Sequence, residues 1–404
     1  MVELPASLSL DKIDAFIRKV KMTNGDQPLL LPVGKKNSAF GGIAIAVQSV
    51  NTWANLSLNK KLILKDSTIE DNDYLSDLIN TPHKFTAAMM SKEISFSGSP
   101  DISIRRDINK LAKEAIESQS DNLFGQQHGR LCWYSFVDHS TKGFDSNFYN
   151  TSPLQHPEPK GYEQIRNIIS AMVLKSSTVA GGAIYLKDDS IDDLGRIFYE
   201  LFINTHEHGS RSENRHKWIH PGNRLIYTYG INLSDDAINN YLLNDEVLEE
   251  YITSLKKTSV SSRRFIEVSI IDSGLGFCGR WLADHSDIGS TLNIDDEYQI
   301  IKKCLKFRSS STNNDIKGNG LPSVMASLTK LNGFMKIRSN RVSIYRDFNT
   351  TPYRFEESDD CKFLDWSTRS YCDAHITEHA EVRGVSITIL IPLIDKNNSK
   401  DDYK

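Results

Sequence analysis

An aspartate followed by two glycines stands directly after an apolar segment in the second half of the chain. Residues 265–271 form a β-branched apolar run, which predicts a buried strand, and Asp272, Gly274 and Gly276 follow it. A carboxylate at a strand end can accept a hydrogen bond from the amine of a base, and glycines leave room for a flat ligand beside the backbone. The alternative is an ordinary strand-end turn in which the aspartate bonds its own backbone.

A carboxylate and an amide lie one helical turn apart upstream of that segment. Glu200 and Asn204 fall in a helical pattern, and their spacing puts both side chains on the face opposite the apolar stripe. The stripe consists of Ile191, Leu194, Phe198, Leu201 and Phe202. Taken alone, the polar pair also fits a solvated position on an exposed helix face.

A glycine-rich turn opens another helical pattern downstream. Leu321, Val324, Leu328 and Leu331 recur there at helical spacing. The free N–H groups and the dipole of a helix N-terminus favour an anion, so the turn predicts a phosphate site. The turn consists of Lys317, Gly318, Asn319, Gly320 and Leu321.

Taken in this order, the three segments resemble the motifs of the GHKL ATPase superfamily, the group of gyrase, Hsp90, histidine kinases and MutL. The resemblance covers roughly residues 160–394 and depends on the order of the motifs more than on any one of them. Glu200 and Asn204 match the N box, residues 272–276 match the G1 box, and residues 318–320 match the G2 box.

The resemblance implies an ATP site that uses Mg²⁺. Glu200 would be the general base and Asn204 would hold Mg²⁺ through its amide oxygen, a hard ligand of the kind that ion prefers. Asp272 would recognise adenine through its exocyclic amine. His206 and His208 are further candidates for contacting phosphate or polarising Glu200, although histidines near a helix C-terminus are often only partners of its dipole.

The resemblance also implies a mobile ATP lid between the G1 and G2 boxes, at residues 278–317. The polar run 308–314 suits such a lid, because its hydroxyls, among them those of Ser309 and Ser310, can bond phosphate oxygens. The alternative for this run is a plain solvated loop.

Two departures from the family pattern stand out. Val385 follows the glycine of the last strand, where the family has a hydroxyl that helps to bind adenine, and Ser386 or Thr388 would have to substitute. Gyrase-like enzymes take a catalytic lysine from a domain after the ATPase domain, and we find no counterpart after the last strand. We therefore expect slow turnover or dependence on a partner.

The fold class predicted for the chain is α/β. We expect an N-terminal α/β domain of unknown role at residues 1–150, separate from a GHKL-type domain at 151–404. The latter would be a Bergerat-type sandwich, with a mixed sheet covered by helices and insertions near 235–257 and 347–382. Three prolines in a polar stretch, residues 141–160, predict the linker between the two domains.

Local patterns predict further elements of the second domain. Ser190 and Asp193 have the spacing of a capping box and predict the start of the N-box helix. Residues 225–229 alternate like a strand that would pair with the strand beginning at 265. A helix is predicted within residues 237–257.

Composition favours a cytoplasmic globular protein. Hydrophobic residues make up 39% of the sequence, enough for real cores, and the net charge of −4 gives no reason to expect nucleic acid or an anionic membrane. We find no signal peptide and no apolar run of the ~18 residues that predict a membrane helix. The 5 cysteines are scattered and odd in number, which argues against a disulfide framework.

A cysteine and histidine cluster before the last strand is a candidate zinc site. Its members are Cys361, Cys372, His375 and His379. Thiolates and imidazoles can bind Zn²⁺ tetrahedrally. The wide separation of the two cysteines favours instead a loop with incidental cysteines and histidines.

The leading hypothesis is a slow Mg²⁺-dependent ATPase whose lid closure acts as a switch on the N-terminal domain, a protein partner or a second copy of the chain. The resemblance implies a bacterial multi-gene defence or signalling system as the context, because orphan proteins of this superfamily occur in such systems.

One alternative is a protein kinase of the histidine-kinase or anti-sigma type. However, none of His83, His128, His139 and His156 precedes an acidic residue. The other alternative is a catalytically silent GHKL module.

Overall fold

The computed structural model describes residues 1–23, 25–32, 40–65, 71–140, 143–150, 157–180, 188–233, 245–257, 264–287, 289–306, 320–354 and 362–393. Within these ranges the chain forms a four-stranded sheet, an eight-stranded sheet, a two-stranded ladder and the helices that cover them. The predicted α/β class is confirmed. No helix in the described ranges is long and apolar enough to cross a membrane.

The N-terminal unit is a parallel sheet whose strands follow one another in chain order, from β1 to β4. Helices join the successive strands, as parallel pairing requires. Its elements are β1 (Val2–Glu3), α1 (Leu10–Met22), β2 (Leu29–Leu31), α2 (Gly42–Leu56), β3 (Lys61–Leu64), α3 (Asp71–Asn80), α4 (Pro82–Met90), β4 (Glu93–Phe96) and α5 (Arg105–Ser120).

Helix α2 lies at the centre of the molecule. Every residue from 44 to 54 is buried, so this helix has no solvent-exposed face there. A helix buried all round packs between two layers. Here one layer is the rest of the N-terminal unit, through α1 and α4, and the other is the second sheet.

The second sheet is built from the later strands, in the spatial order β13-β12-β11-β14-β10-β9-β6-β5, while β7 and β8 form the two-stranded ladder. The strands are β5 (Gln126–His128), β6 (Leu131–Phe136), β7 (Tyr149–Asn150), β8 (Glu158–Pro159), β9 (Arg224–Asn232), β10 (Arg264–Ile271), β11 (Phe334–Asn340), β12 (Val342–Asp347), β13 (Leu364–Asp365) and β14 (Val382–Pro392). The predicted pairing of the strand at 225–229 is confirmed, with Ile271 opposite Leu225.

This sheet was expected to be mixed, and that detail is wrong. All its strand pairs in the described residues are antiparallel. The chain leaves β10, passes through helices and returns in β11, so β10 and β11 run in the same direction. The last strand, β14, is inserted between them and runs the opposite way, which makes every neighbouring pair antiparallel.

Helices cover both faces of the second sheet. On the front face, residues of α6, α7, α9, α10 and α11 form one core with Ile226, Ile337 and Ile389 of the sheet. On the back face, α2 packs near Tyr227, and α8 packs on Phe334 and Leu390. The later helices are α6 (Tyr162–Val179), α7 (Asp188–Asn204), α8 (Glu246–Lys257), α9 (Gly276–Asp284), α10 (Ile294–Leu305) and α11 (Gly320–Lys330).

The segment predicted as the N-terminal domain contributes strands to the second sheet, and the two units pack against each other. Strands β5 and β6 come from residues assigned to the N-terminal domain, yet they pair with each other and with β9 in the second sheet. Trp133 of β6 packs edge-on against Phe85 of α4, with ring centroids 5.3 Å apart. The predicted linker at 141–160 therefore lies within the span of the second sheet.

The predicted capping box is wrong. Helix α7 begins at Asp188, before Ser190. The Asp193 carboxylate instead accepts hydrogen bonds from the Ser327 hydroxyl at 2.8 Å and the Lys330 ammonium at 3.2 Å, both on α11. Asp193 thus joins two helices. Helix α8 lies in the first predicted insertion and forms the C-terminal part of the helix predicted within 237–257. The edge strand β13 lies in the second predicted insertion.

Candidate functional site

Asp272 directly follows β10, and its two carboxylate oxygens differ in their partners. Oδ1 accepts the N–H of Gly274 at 2.9 Å and the N–H of Val385 at 3.2 Å. The bond from the Gly274 N–H is the one expected if Asp272 holds its own strand-end turn, so this turn does form. The structure gives Oδ2 no hydrogen bond within the described part of the chain, which leaves one acceptor for a ligand.

The Asp272 carboxyl is buried, and this burial raises its pKa to about 6. The N–H groups of Gly274 and Val385 act in the opposite direction, as does the charge of Arg224. Arg224 itself is neutralised by Asp138, with contacts of 2.7–3.0 Å. The carboxylate at 272 therefore ionises near neutral pH.

Glycines surround this carboxylate. A Cβ on Gly209 would lie 2.4 Å from the Asp272 Cγ, and one on Gly384, whose φ is +72°, would lie 1.9 Å from the carbonyl oxygen of Asp272. A Cβ on Gly274 would lie 2.6 Å from the carbonyl oxygen of Gly209. The turn that follows Asn204 therefore touches the turn that follows Asp272 through bare backbone. Gly209 belongs to no pattern visible in the sequence, and only its place shortly after Glu200 and Asn204 could have indicated it.

Glu200 and Asn204 lie beside the start of α11. A Cβ on Gly320, the first residue of that helix, would be 2.8 Å from Glu200 Oε2 and 3.8 Å from Asn204 Nδ2. Two of the three predicted segments therefore meet at a helix N-terminus, where free N–H groups favour an anion. Leu321, predicted with this turn, packs in the core below it.

The environment of Glu200 suits a proton acceptor. Burial raises the pKa of its carboxyl, the nearby charge of Glu207 raises it further, and Arg196 acts in the opposite direction. A carboxylate with a raised pKa is a better general base near neutral pH than a solvated one.

A π-helical turn, residues 205–209, connects the two ends of the site. His206 Nδ1 lies 3.2 Å from the Tyr149 hydroxyl, and His208 Nδ1 lies 3.3 Å from Nη1 of Arg215. Burial lowers the pKa of His206 to about 3 and that of His208 to about 4, so both are neutral near pH 7. Turns of this kind are frequent at functional sites. Here the turn ends at the glycine that touches Asp272.

Gly276 has a packing role. Its φ is +74°, and a Cβ there would lie 2.5 Å from Asn340 Oδ1. Asn340 Oδ1 accepts the N–H of Cys278 at 3.2 Å, and Ser339 Oγ accepts the N–H of Phe277 at 3.1 Å. These side chains satisfy the first turn of α9, so the glycine allows a hairpin to cap this helix.

Part of the predicted phosphate end lies outside the described residues. This applies to Ser309, Ser310, Lys317, Gly318 and Asn319. Of the segment expected to be a lid, the structure describes α9 and α10.

The expectation that Ser386 or Thr388 replaces the missing hydroxyl is wrong. Alternate residues of a strand point to opposite faces. Thr388 Oγ1 accepts a hydrogen bond from Ser269 at 2.9 Å and lies beside Gly41 on the back face. Ser386 is on the same side as Thr388, whereas Val385 packs against the front core.

The candidate zinc residues have other contacts. His379 Nδ1 lies 2.9 Å from Asp14 Oδ2, and its Nε2 lies 3.4 Å from the Ser367 hydroxyl. Cys372 is buried, and Cys361 lies outside the described residues. In the ranges that the structure describes, no three Cys, His, Asp or Glu side chains are arranged to hold a metal.

The described geometry is that of an elongated site along one helix. Glu200 and Gly209 lie nine residues apart, which corresponds to roughly 13 Å of helix. One end offers a carboxylate oxygen between glycines, and the other a carboxylate and an amide beside a helix N-terminus. Comparisons of the chain with protein families, with curated proteins and with solved structures return no match.

Proposed function

We propose that this protein binds ATP with Mg²⁺ and hydrolyses it slowly, as a member of the GHKL superfamily. The observation that carries the proposal is the placement of three distant segments around one helix. Glu200 and Asn204, near the C-terminal end of α7, lie beside Gly320, and Gly209, at the end of the π-helical turn that follows, lies beside Asp272. This separation is comparable with the length of a nucleoside triphosphate.

At the base-binding end, Asp272 Oδ2 accepts a hydrogen bond from the exocyclic amine of adenine. Because Oδ1 already accepts two backbone N–H groups, the carboxylate presents one acceptor and suits one amine. Gly209 and Gly274 have no side chains, so their backbones pack against each other beside the carboxylate and fix its position.

At the phosphate end, the N–H groups that open α11 contact the phosphate oxygens. The Asn204 amide oxygen would hold Mg²⁺, which neutralises charge on the triphosphate when bound. Glu200, with its raised pKa, takes the proton of the attacking water. Residues 278–317 would close over the nucleotide, and a partner protein or a second copy would bind the closed state. We place this activity in the cytoplasm.

Calorimetry with MgATP tests the proposal. Asp272→Asn replaces the amine acceptor by an amide, so affinity is expected to fall at least tenfold, about 1.4 kcal/mol. Asp365→Asn is the matched control, because Asp365 also holds its own turn, through the N–H groups of Ser367 and Thr368 at 3.0 and 2.8 Å. This control should bind MgATP like the wild type. Equal binding by all three proteins contradicts the assignment of Asp272.

Glu200→Gln separates hydrolysis from binding. The variant should retain MgATP affinity and lose phosphate release. Label from γ-labelled ATP that remains on the wild-type protein would favour the kinase alternative. Binding without release by the wild type would favour the silent module.

A further inference from the structure

We propose that the N-terminal unit positions the base-binding end of the site, so that nucleotide binding and the docking of α2 are energetically coupled. This inference rests on the function proposed above. It concerns two chains of buried hydrogen bonds that join α2 and α4 to the backbone around Asp272.

The first chain runs from α2 to the start of β14. Gln48 Nε2 donates to the carbonyl oxygens of Arg338 at 3.1 Å and Gly384 at 3.3 Å. One helical turn on, Thr52 Oγ1 accepts the N–H of Arg383 at 2.9 Å. Two side chains of one helix face therefore hold consecutive residues, 383 and 384.

Gly384 and the next residue, Val385, bond the turn and the carboxylate at position 272. Gly384 donates its N–H to the carbonyl oxygen of Gly274 at 2.9 Å. Val385 donates its N–H to Asp272 Oδ1 at 3.2 Å, and the Asp272 N–H is bonded to the carbonyl oxygen of Val385 at 3.0 Å. A shift of α2 therefore moves the backbone that fixes Oδ1 and directs Oδ2.

The second chain passes through Asn223, which is fully buried. Its backbone N–H donates to Ser273 Oγ at 2.9 Å, inside the G1 turn. Its Nδ2 donates to Thr86 Oγ1 of α4 at 3.1 Å, and its carbonyl oxygen accepts Asn51 Nδ2 of α2 at 3.5 Å. Asn223 thus bonds two helices of the N-terminal unit and the turn that carries Asp272.

The polar residues of α2 are unexpected in their setting. Gln48, Asn51 and Thr52 lie on a helix with no exposed residue between 44 and 54. Burying such groups is unfavourable unless they are hydrogen-bonded. Gln48 Nε2, Asn51 Nδ2 and Thr52 Oγ1 bond backbone groups next to the base-binding residues. Gln48 Oε1 and Asn51 Oδ1 have no hydrogen-bond partner among the described residues, so the amide groups are only partly satisfied. Because energetic coupling between two sites is reciprocal, bound nucleotide must in turn stabilise the docked N-terminal unit.

The test uses the full chain with substitutions in α2. Thr52→Val removes the acceptor of the Arg383 N–H with little change of shape, whereas Thr52→Ser keeps it. Ser49→Ala is the matched control, since the buried Ser49 hydroxyl donates only to the Ile45 carbonyl of its own helix at 2.6 Å. Thermal unfolding confirms that each variant is folded.

The first measurement is amide hydrogen exchange without nucleotide. Thr52→Val should speed exchange at Gly274 and Val385 about tenfold relative to Thr52→Ser and Ser49→Ala. Wild-type exchange rates in a folded Thr52→Val protein would overturn the positioning role. If Thr52→Val does not fold, a lack of nucleotide-dependent protection of α2 amides in the wild type, under conditions where it binds MgATP, would overturn the coupling.

The second measurement is MgATP affinity, for which Thr52→Val should show about a tenfold loss and Thr52→Ser none. If the wild type binds MgATP and Thr52→Val binds equally well, the coupling is overturned while the proposed function stands. If the wild type does not bind MgATP, the proposed function fails, and exchange at Gly274 still decides whether α2 positions the turn.

Discussion

The two faces of the eight-stranded sheet are built on different principles. On the front face, apolar residues such as Ile337 and Ile389 pack against apolar helix stripes. On the back face, buried charged residues alternate with the apolar ones. Glu267 accepts the Gly41 N–H at 3.2 Å, Lys336 Nζ lies 3.3 Å above the Trp366 ring, and Arg338 pairs with Asp14.

This difference separates what hydrophobic burial can build from what needs particular partners. Burial is roughly proportional to area and tolerates exchange among apolar residues. A buried charge is stable only with its specific partner in place. The front face therefore supplies stability, while the back face fixes how the N-terminal unit is docked.

Neighbouring residues of β11 give the sharpest test of this comparison. Arg338→Met leaves the buried Asp14 without its arginine, and the free energy of unfolding should fall by ~3 kcal/mol. Ile337→Val, on the front face, should lower it by ~1 kcal/mol. Chemical denaturation measures both. Equal losses of unfolding free energy in the two variants would contradict the proposed difference between the faces.

A second prediction concerns Asp272, at the edge where the faces meet. Its pKa of about 6 means that the carboxyl is ionised above pH 6 and protonated below. Protonation removes the acceptor for the amine, so MgATP affinity should fall about tenfold between pH 7 and pH 5. Calorimetry across this range measures the effect, and Asp272→Asn should lack it. A flat profile in the wild type would show that Oδ2 does not receive the amine.

The smallest effect is expected at the rim of the back face. Lys21 of α1 and Glu381 beside β14 form an ion pair whose side chains are 38% and 52% exposed. Exposed pairs contribute little, so Lys21→Ala should lower the free energy of unfolding by less than ~0.5 kcal/mol. A loss as large as that of Arg338→Met would show that charge at the rim, and not burial, holds the units together.

Sequence patterns predicted the front face well. Helical spacing found α7 and α11, alternation found β9, and the order of the motifs indicated which segments would approach one another. Gly320 does lie beside Glu200 and Asn204. Such features are visible in sequence because they repeat locally or occupy short motifs.

The back face and its contacts could not be predicted in the same way. Gln48 and Asn223 bond groups that are distant in the chain. Many of these groups are backbone atoms, which every residue has, so no sequence pattern indicates the contact. The capping box predicted at Asp193 was wrong for the same reason, because the Asp193 side chain bonds a distant residue of α11 and not the local backbone. The direction of β14 was also missed, since alternation does not reveal which neighbours a strand will have.

The burial of α2 between the rest of the N-terminal unit and the second sheet has a consequence for synthesis on the ribosome. Strands β5 and β6 emerge well before β9, the strand that joins them to the second sheet. Until β9, β10 and β14 follow, one side of α2 faces water with its apolar residues exposed. We therefore expect α2 to become fully buried only after β14 has left the exit tunnel.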